Sequence, residues 1–355
     1  MPNLKDSWSS FTVEELFERI IPTKGKTTGE LISGNDVPYI AAAKTNNGYV
    51  SMCSKKEHPE WISKGNAIVF VQLGDGAAGI AHYVPMDFIG MNGKTSCGYN
   101  SKITKNSGVF IAKCLSSNKA IFSHGHSWTG RRLLTTKTML PTNESGEPDY
   151  QYMANYSKSK VQAMLDRYKA YAEKELSKIE YKEILPLYEK EWKNYFIPFV
   201  FEKIKRGKRL KKADHIKGLI PYVSSTGNNN GVDAYIEALQ GTRTFSSCIS
   251  LANSGSVGKA FYEPFKFVAS DHVTSLKTDG FTKYLYLFIC SAIEKQSCNY
   301  NFNREINEPR IKKMQIMLPS TSEGSPDYEY MEQYAKNLMY KKYNQYLSYL
   351  KSKNC

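Results

Sequence analysis

Short apolar runs separated by turn-forming residues make up most of this chain. The runs 67–73 (AIVFVQL) and 78–85 (AGIAHYVP) are separated by a glycine-rich turn, and a similar run recurs at 248–256 (CISLANSGS). Runs of this length, bounded by Gly, Asn and Ser, predict short β-strands joined by tight turns. A helical segment near the start carries Thr12 and Glu15 at the spacing of a capping box. The pattern predicts mixed, strand-rich domains with a few helices.

Two long stretches after Pro148 and Pro326 follow a helical period instead. Proline is tolerated in a first helical turn, where Asp149 and Asp327 would complement the helix dipole. Apolar side chains recur at spacings of three and four residues in both stretches; they are Val161, Met164, Tyr168, Tyr171 and Leu176 in the first, and Met339, Tyr343, Tyr346 and Leu350 in the second. We expect the first helix to end near Leu185. A helix of about 28 residues would be roughly 42 Å long.

The apolar seam of each helix is narrow, partly aromatic and flanked by Lys and Glu, which is typical of a coiled-coil contact between two helices. Antiparallel packing of the two helices would relate the two globular parts by a pseudo-twofold axis. The alternative is that each helix folds back on its own domain.

Nearly the whole chain is a tandem repeat. Three blocks recur in the same order about half a chain length apart, namely 37–48 with 220–231, 76–88 with 255–267, and 139–153 with 317–331. A period this long is typical of a duplicated domain and not of a solenoid. The repeat predicts an α+β fold in four segments, which are a first strand-rich domain (1–147), a central long helix (148–190), a second strand-rich domain (191–325) and a C-terminal long helix (326–355).

The net charge of +14 favours a polyanionic partner, of which nucleic acid is the commonest. The 25 tyrosines suit interfaces and phosphate contacts. Seven scattered cysteines without a Cys-x-x-Cys pair indicate free thiols in a reducing compartment. The sequence shows no secretory signal and no apolar run long enough to span a membrane, so we expect a cytoplasmic protein.

Motifs for chemistry are weak or fail on context. GDGAAG (74–79) matches a dinucleotide fingerprint, but a strand follows it where the fingerprint needs a helix, so we interpret it as a hairpin turn. HGH (124–126) has no partner spaced to complete a metal site. No methyltransferase motif, nuclease motif or nucleophile–base pair is visible. The sequence predicts no catalytic residue, no metal and no cofactor in this chain.

Polar and basic loops at matched places in both copies are the remaining candidates for function. Asn can read adenine and Arg can read guanine in the major groove, and both residues also anchor phosphates. The candidate DNA-binding residues are Lys44, Thr45, Asn46, Asn47, His126, Trp128, Arg131 and Arg132 in the first copy, and Thr226, Asn228, Asn229, Asn230, Asn303, Arg304, Arg310 and Lys312 in the second. Each loop taken alone could equally be a solvent-facing turn.

The ends of the two copies, SHGHSWTGRRLLTTKTMLPTNESGEPDYQYM (123–153) and NREINEPRIKKMQIMLPSTSEGSPDYEYM (303–331), resemble the DNA specificity subunits of type I and type IIB restriction–modification systems. The resemblance implies two target-recognition domains that each read one half of a bipartite DNA sequence. It also implies that two antiparallel helices set the gap and bind modification subunits, through the helix residues named above. S-adenosylmethionine and Mg²⁺ would then belong to the partner subunits, which hold the methyltransferase and nuclease sites.

Unequal side chains in the matched loops predict that the two half-sites differ. Two other hypotheses remain open at this level. The chain could be a stand-alone nuclease or methyltransferase with an unrecognised site, or a non-catalytic adaptor or decoy that binds modification subunits only.

Overall fold

The computed structural model describes residues 7–353 except Asp75, His124 and Phe302, and only the backbone of Ser297 and Lys353. The chain forms two compact units, Met1–Tyr168 and Lys169–Cys355. The boundary lies inside the first long helix, so the four-segment division based on the repeat stays a prediction.

The first unit is a strand-rich domain followed by most of a long helix. Its elements are β1 (Trp8–Thr12), α1 (Val13–Leu16), β2 (Arg19–Pro22), β3 (Ser33–Ile40), β4 (Tyr49–Cys53), β5 (Ile62–Ser63), β6 (Ala67–Val71), β7 (Ala81–Val84), β8 (Phe88–Gly90), β9 (Thr95–Tyr99), α2 (Lys105–Ser116), α3 (Gly130–Thr135), β10 (Lys137–Pro141) and α4 (Tyr150–Leu176), whose end belongs to the second unit.

The second unit repeats this order. Its elements are β11 (Trp192–Phe196), α5 (Ile197–Val200), β12 (Lys203–Arg206), β13 (Lys217–Val223), β14 (Val232–Ile236), β15 (Thr244–Phe245), β16 (Cys248–Ala252), β17 (Ala260–Glu263), β18 (Phe267–Ala269), β19 (Val273–Lys277), α6 (Lys283–Gln296), α7 (Glu308–Lys313), β20 (Gln315–Pro319) and α8 (Tyr328–Lys353).

Sheet topology is duplicated as well as element order. Each unit has one sheet of order β2-β9-β6-β7 or β12-β19-β16-β17, a second of order β4-β3-β8-β5 or β14-β13-β18-β15, and a two-stranded ribbon of β1-β10 or β11-β20. The two copies therefore share one α+β fold, and the predicted fold class is confirmed for each copy and its long helix.

The central strand β6 shows why the apolar runs are continuous. Ile68 and Phe70 face a core that includes α2, whereas Ala67 and Val69 face the other sheet across a second core. A strand buried on both faces needs apolar residues at successive positions instead of alternation. The glycine-rich stretch after β6 is the turn of an antiparallel β6–β7 hairpin, so the hairpin interpretation of 74–79 is confirmed.

Both long helices begin one residue after an aspartate cap. The Asp149 carboxylate accepts a hydrogen bond from the Tyr152 N–H at 2.8 Å, and the Asp327 carboxylate accepts one from the Tyr330 N–H at 3.0 Å. The prolines precede the caps and do not occupy the first turn as predicted. The capping box at Thr12 is present, with both reciprocal hydrogen bonds to Glu15.

The first long helix ends at Leu176, so the prediction of an end near Leu185 was wrong. The following residues run extended along α8, where side chains replace the helical hydrogen bonds. Asn337 accepts from the Lys182 N–H at 3.1 Å and donates to the Lys182 carbonyl at 2.6 Å. The Tyr330 hydroxyl donates to the Leu185 carbonyl at 2.7 Å. These three hydrogen bonds give backbone groups of the extended segment the partners that a continued helix would have supplied.

Candidate nucleic-acid interface

Three loops meet at one end of the strand-rich domain in the first unit. They are 41–48 after β3, 72–80 after β6 and 122–129 before α3. The backbone of 72–80 holds the other two together. Gly74 packs so closely against Ala42 that a Cβ at Gly74 would lie 3.0 Å from the Ala42 carbonyl oxygen, and the Trp128 N–H donates to the Gln72 carbonyl at 3.0 Å.

The same three loops meet in the second unit at 224–231, 253–258 and 300–306. The Ser256 N–H donates to the Ser225 carbonyl at 3.0 Å, and the Ile306 N–H donates to the Asn253 carbonyl at 3.0 Å. The fold therefore gathers each copy's predicted loops into one cluster. A three-loop cluster on a rigid sheet scaffold is a common basis for binding surfaces.

The Asn-Asn-Gly turns that recur in the two copies share an unusual backbone conformation. Asn46 and Asn47 have φ of 49° and 51°, and Asn229 and Asn230 have φ of 49° and 52°. Asn tolerates this left-handed region better than other residues with a side chain. The recurrence of Asn is thus explained by the turn itself. The four amides are also exposed, as are Lys44, Thr45 and Asn228, and Thr226 is half-buried, so these side chains remain available for contacts.

Trp128 is not a surface residue, and the prediction that it contacts DNA is corrected. Its side chain is fully buried in the core of the first unit, where it packs edge-on against Phe70 and stacks on Phe122. Its indole N–H donates to the Thr136 hydroxyl at 2.9 Å. Ile306, its counterpart in the second copy, is also buried. A large apolar side chain at this position anchors the third loop to the core.

The matched arginines Arg132 and Arg310 hold the turns that precede α3 and α7. The Arg132 guanidinium donates to the Ser127 carbonyl at 3.2 Å, and that of Arg310 donates to the Glu305 carbonyl at 2.6 Å. Both side chains remain exposed. A guanidinium has five N–H donors, so one such bond leaves donors for phosphate or guanine. These arginines shape the loop and could also contact a ligand.

The other candidates in the third loop are exposed. His126 stacks on Phe122 at 6.0 Å between ring centroids, and Arg304 lies over the Tyr300 ring at 5.8 Å. Lys312 pairs with Glu308 at 3.1 Å, one helical turn away. Arg131 and Asn303 complete the set. His124, the other member of the His-Gly-His triplet, lies outside the described residues.

One strongly basic segment was missed by the motif search. Residues 203–212 read KIKRGKRLKK and lie on β12 and the loop after it. The run of Lys and Arg is visible in the sequence. The matched segment of the first copy, 19–28, has only three basic residues, so the segment is not among the features that the two copies share.

Comparisons with known proteins identify this architecture. Residues 189–346 match the family model of the type I restriction modification DNA specificity domain. The chain is 26% identical over 336 residues to the type II restriction enzyme BgcI specificity subunit S.BcgI of Heyndrickxia coagulans, with 92% of this chain and 93% of the relative covered. The match to this relative therefore includes both copies of the repeat.

The second copy of the repeat therefore matches the DNA specificity domain, and the chain as a whole is similar to a restriction-enzyme specificity subunit. The resemblance inferred from the repeated motifs is confirmed, and specificity subunits are not the catalytic members of these systems. Among solved structures, the chain is similar to the type I S subunit from M. genitalium (14% identity, 99% and 94% of the two chains, TM-score 0.45) and to HsdS from Thermoanaerobacter tengcongensis (12%, 98% and 92%, TM-score 0.32).

The end of α4 and the residues after it pack against α8 within the second unit. Tyr171 meets Tyr343 edge-on at 6.4 Å between ring centroids, and Ala172 and Ile179 are buried in the same small core. Leu176, Met339 and Tyr346 line this core, and Leu350 is half-buried near the end of α8. Residues later in α4 and its extension pair with earlier residues of α8, so the packing is antiparallel.

The seam is not buried along its predicted length. Val161 and Met164 have relative exposures of 52% and 62%, and Tyr168 is exposed at 45%. The predicted contact is therefore strongest at the C-terminal end of α4, where the small side chain of Ala172 lets an aromatic ring from α8 approach.

A buried carboxylate joins the end of α4 to the second recognition domain. Glu175 is 6% exposed and binds Lys178 at 2.6 Å and Lys283 of α6. Hydrogen bonds from Lys178 and then Lys283 hold the pKa of this carboxyl below its usual value. These ion pairs fix the orientation of the end of α4 relative to α6 of the second recognition domain.

An aromatic group of three side chains is repeated beside the long helices. In the first unit, Phe110 of α2 lies 6.1 Å from Trp8 and 5.5 Å from Tyr156 between ring centroids. In the second unit, Phe288 lies 6.4 Å from Trp192 and 5.7 Å from Tyr334. The second group borders a largely apolar groove of about 670 Å³ that runs along α6 and α8.

Neither a metal site nor a membrane span emerges from the described part of the chain. No three His, Cys, Asp or Glu side chains there cluster as metal ligands, and no helix there is long and apolar enough to cross a bilayer.

Proposed function

We propose that this specificity subunit reads a bipartite, asymmetric DNA target, with one three-loop cluster on each half-site. The observation that carries the proposal is the duplicated cluster itself, which has one backbone frame and two different sets of exposed side chains. Lys44 and His126 in the first copy are matched by Gly227 and Arg304 in the second. Side chains of different hydrogen-bonding capacity at matched positions select different base edges.

We also propose that the long helices set the gap between the half-sites. Helix α4 has 27 residues and is about 40 Å long at 1.5 Å per residue. Half-sites one helical turn apart are centred roughly 34–36 Å from each other. The helix length is therefore suited to half-sites about one turn apart.

The partners in this proposal are methyltransferase subunits, with a nuclease subunit or fused nuclease, that dock on the helices. The exposed apolar side chains of α4 support this, as does the aromatic group that occurs once beside each long helix. A partner surface present twice suits a partner bound twice. S-adenosylmethionine and Mg²⁺ would act in those subunits, and we expect the complex to work in the cytoplasm.

A domain duplication tests the reading of half-sites. A chain in which residues 8–141 are replaced by residues 192–319 carries the second domain twice, because these ranges begin at β1 or β11 and end at β10 or β20. Co-expressed with its partners, it should methylate a target whose two half-sites are both the second half-site of the natural target. Methylation mapping of the host genome measures this, and the natural chain serves as the control.

Retention of the natural asymmetric target by the duplicated chain would refute domain-wise reading. Cleavage or methylation of plasmid by the purified natural chain alone, with Mg²⁺ and S-adenosylmethionine, would favour a stand-alone enzyme. A complex that assembles but binds all DNA sequences equally would favour an adaptor.

A further inference from the structure

The basic segment of the second unit, residues 203–212, has no basic counterpart in the first. Seven of its ten residues are Lys or Arg, against three in the matched residues 19–28, RIIPTKGKTT. One of those three, Lys26, is neutralised by Glu30 at 3.2 Å. The two copies therefore differ in charge at matched positions on β12 and β2 and in the loops after these strands.

Some cations of this segment have structural partners. Lys203 on β12 pairs with Asp279, and Lys208 donates to the Gly241 carbonyl at 3.2 Å. At the end of the segment, Arg209, Lys211 and Lys212 are exposed, and no described side chain forms an ion pair or hydrogen bond with them. We call these three residues the cationic rim.

The cationic rim borders a cavity of about 450 Å³ that lies next to the candidate reading loops. Ser224 and Ser225, the first residues of the loop 224–231, line the same cavity. Asp233 and Asp271 line it too, so its interior is not a favourable place for an anion. His215 also lines the cavity, and its Nε2 is buried without a partner among the described residues.

This distribution of charge favours an extended anion that runs past the rim and not a small anion inside the cavity. Three cations within four residues repel one another, and an anion bound outside the protein at the rim would offset that repulsion. Double-stranded DNA offers one negative charge for about every 1.7 Å of its axis, and Arg and Lys are its main phosphate contacts. A backbone held at the rim would place the neighbouring bases beside the loop 224–231.

We propose that Arg209, Lys211 and Lys212 bind phosphates of the DNA backbone at the second half-site, and that the second recognition domain therefore supplies the larger share of electrostatic binding. The inference rests on the proposed function of DNA reading. It adds that the two domains contribute unequally to electrostatic binding of DNA, which the duplicated fold does not require.

The salt dependence of binding tests the inference. The assembled complex is measured on a duplex with both half-sites and on a scrambled duplex between 50 and 200 mM salt, for the natural chain and for R209Q/K211Q/K212Q. Each lost phosphate contact lowers the slope of log affinity against log salt by about 0.9. We expect the slope to fall by about 0.9 to 2.7 on both duplexes, for the loss of one to three phosphate contacts. The natural complex should then lose about 4- to 40-fold more affinity than the variant over this range.

Two control variants make the result specific. K56Q/K102Q/K105Q removes the same charge from exposed positions outside the long helices and the candidate loops, none of which lines the cavity, and should leave the slope unchanged. R209K/K211R/K212R keeps the charge and should keep the slope. An equal fall in slope for K56Q/K102Q/K105Q would overturn the inference, because total charge would then explain it. An unchanged slope for R209Q/K211Q/K212Q would overturn it as well.

Duplexes with neutral methylphosphonates at one half-site locate the contact. Neutralisation at the second half-site should weaken the natural complex and have a much smaller effect on R209Q/K211Q/K212Q. Equal sensitivity of both proteins would place the contact elsewhere. The slope on scrambled DNA decides the phosphate contact even if the natural complex shows no preference for its target, so failure of the proposed function and failure of this inference are distinguishable.

Discussion

Glu263, at the end of β17, should make the stability of the second recognition domain depend on pH. Its side chain is 1% exposed, and its one side-chain partner is the Ser250 hydroxyl, which donates to the carboxyl at 2.9 Å. Burial raises the pKa of Glu263 from 4.5 to about 7, and the Ser250 hydrogen bond opposes this shift in part. The matched residues of the first copy, Val84 and Val69, are apolar, so the first domain has no such group.

The raised pKa determines the sign of the effect. The folded domain binds the proton more tightly than the unfolded chain, so the stabilisation is fully present below the ordinary pKa of 4.5 and is lost as pH rises through about 7. From the two pKa values, the loss between pH 5 and pH 8 is about 2–3 kcal/mol. The side chains introduced by E263Q and E263V cannot ionise, so both variants should lack this pH-dependent contribution to stability.

Urea unfolding of the full chain at pH 5, 6, 7 and 8 measures the effect. Relative to the natural chain, the unfolding free energy of E263Q should rise by about 2–3 kcal/mol between pH 5 and pH 8. Any effect of the substitution that does not depend on pH cancels in this comparison. S250A should keep the pH dependence and move it to higher pH, because the stabilising hydrogen bond to the carboxylate is gone. Parallel stability curves for E263Q and the natural chain would refute the reasoning.

Three further changes test the packing and the turns. E175Q should lower the unfolding free energy by about 3 kcal/mol at pH 7, because it leaves Lys283 without its buried partner. This loss should shrink as pH falls through the lowered pKa of Glu175. Urea unfolding measures it, with E173Q at an exposed position as the control. N337A should lower the unfolding free energy by about 2 kcal/mol and speed hydrogen exchange at the Lys182 amide, which otherwise donates to Asn337. An unchanged exchange rate would contradict the proposed role of these hydrogen bonds in holding the segment after α4. N47G should keep stability because glycine accepts the left-handed turn, whereas N47V should lose about 1–2 kcal/mol; a change of recognised bases in N47G would show that the amide itself reads DNA.

Trp128 shows where sequence reasoning about a site failed. It lies in a polar, basic loop, which favours a surface role, but its ring is covered by Phe70 from β6 and by Phe122 from the start of the same loop. A contact between residues as far apart in the chain as Phe70 and Trp128 is decided by how sheet, helix and loop pack together. A period in the local sequence does not encode them.

The Asn-Asn-Gly turns show a different limit of the sequence, and their role in base recognition stays a prediction. Their recurrence was interpreted as a sign of base recognition, and the backbone offers a sufficient reason of another kind, the positive φ at Asn47 and Asn230. One amino-acid type can satisfy a turn or a ligand. Only the conformation shows that the turn already accounts for it.

The sequence by itself determined that there are two copies of one strand-rich domain, each followed by a long helix, because repeats, apolar runs and helical periods are local patterns. Only the tertiary structure decided where α4 ends, since Asn337 binds the backbone of Lys182 across 155 positions of chain. It also decided that three separate loops form one surface and that the cationic rim lies beside it. Burial and hydrogen-bond competition act between distant segments, so they become visible only when the chain is folded.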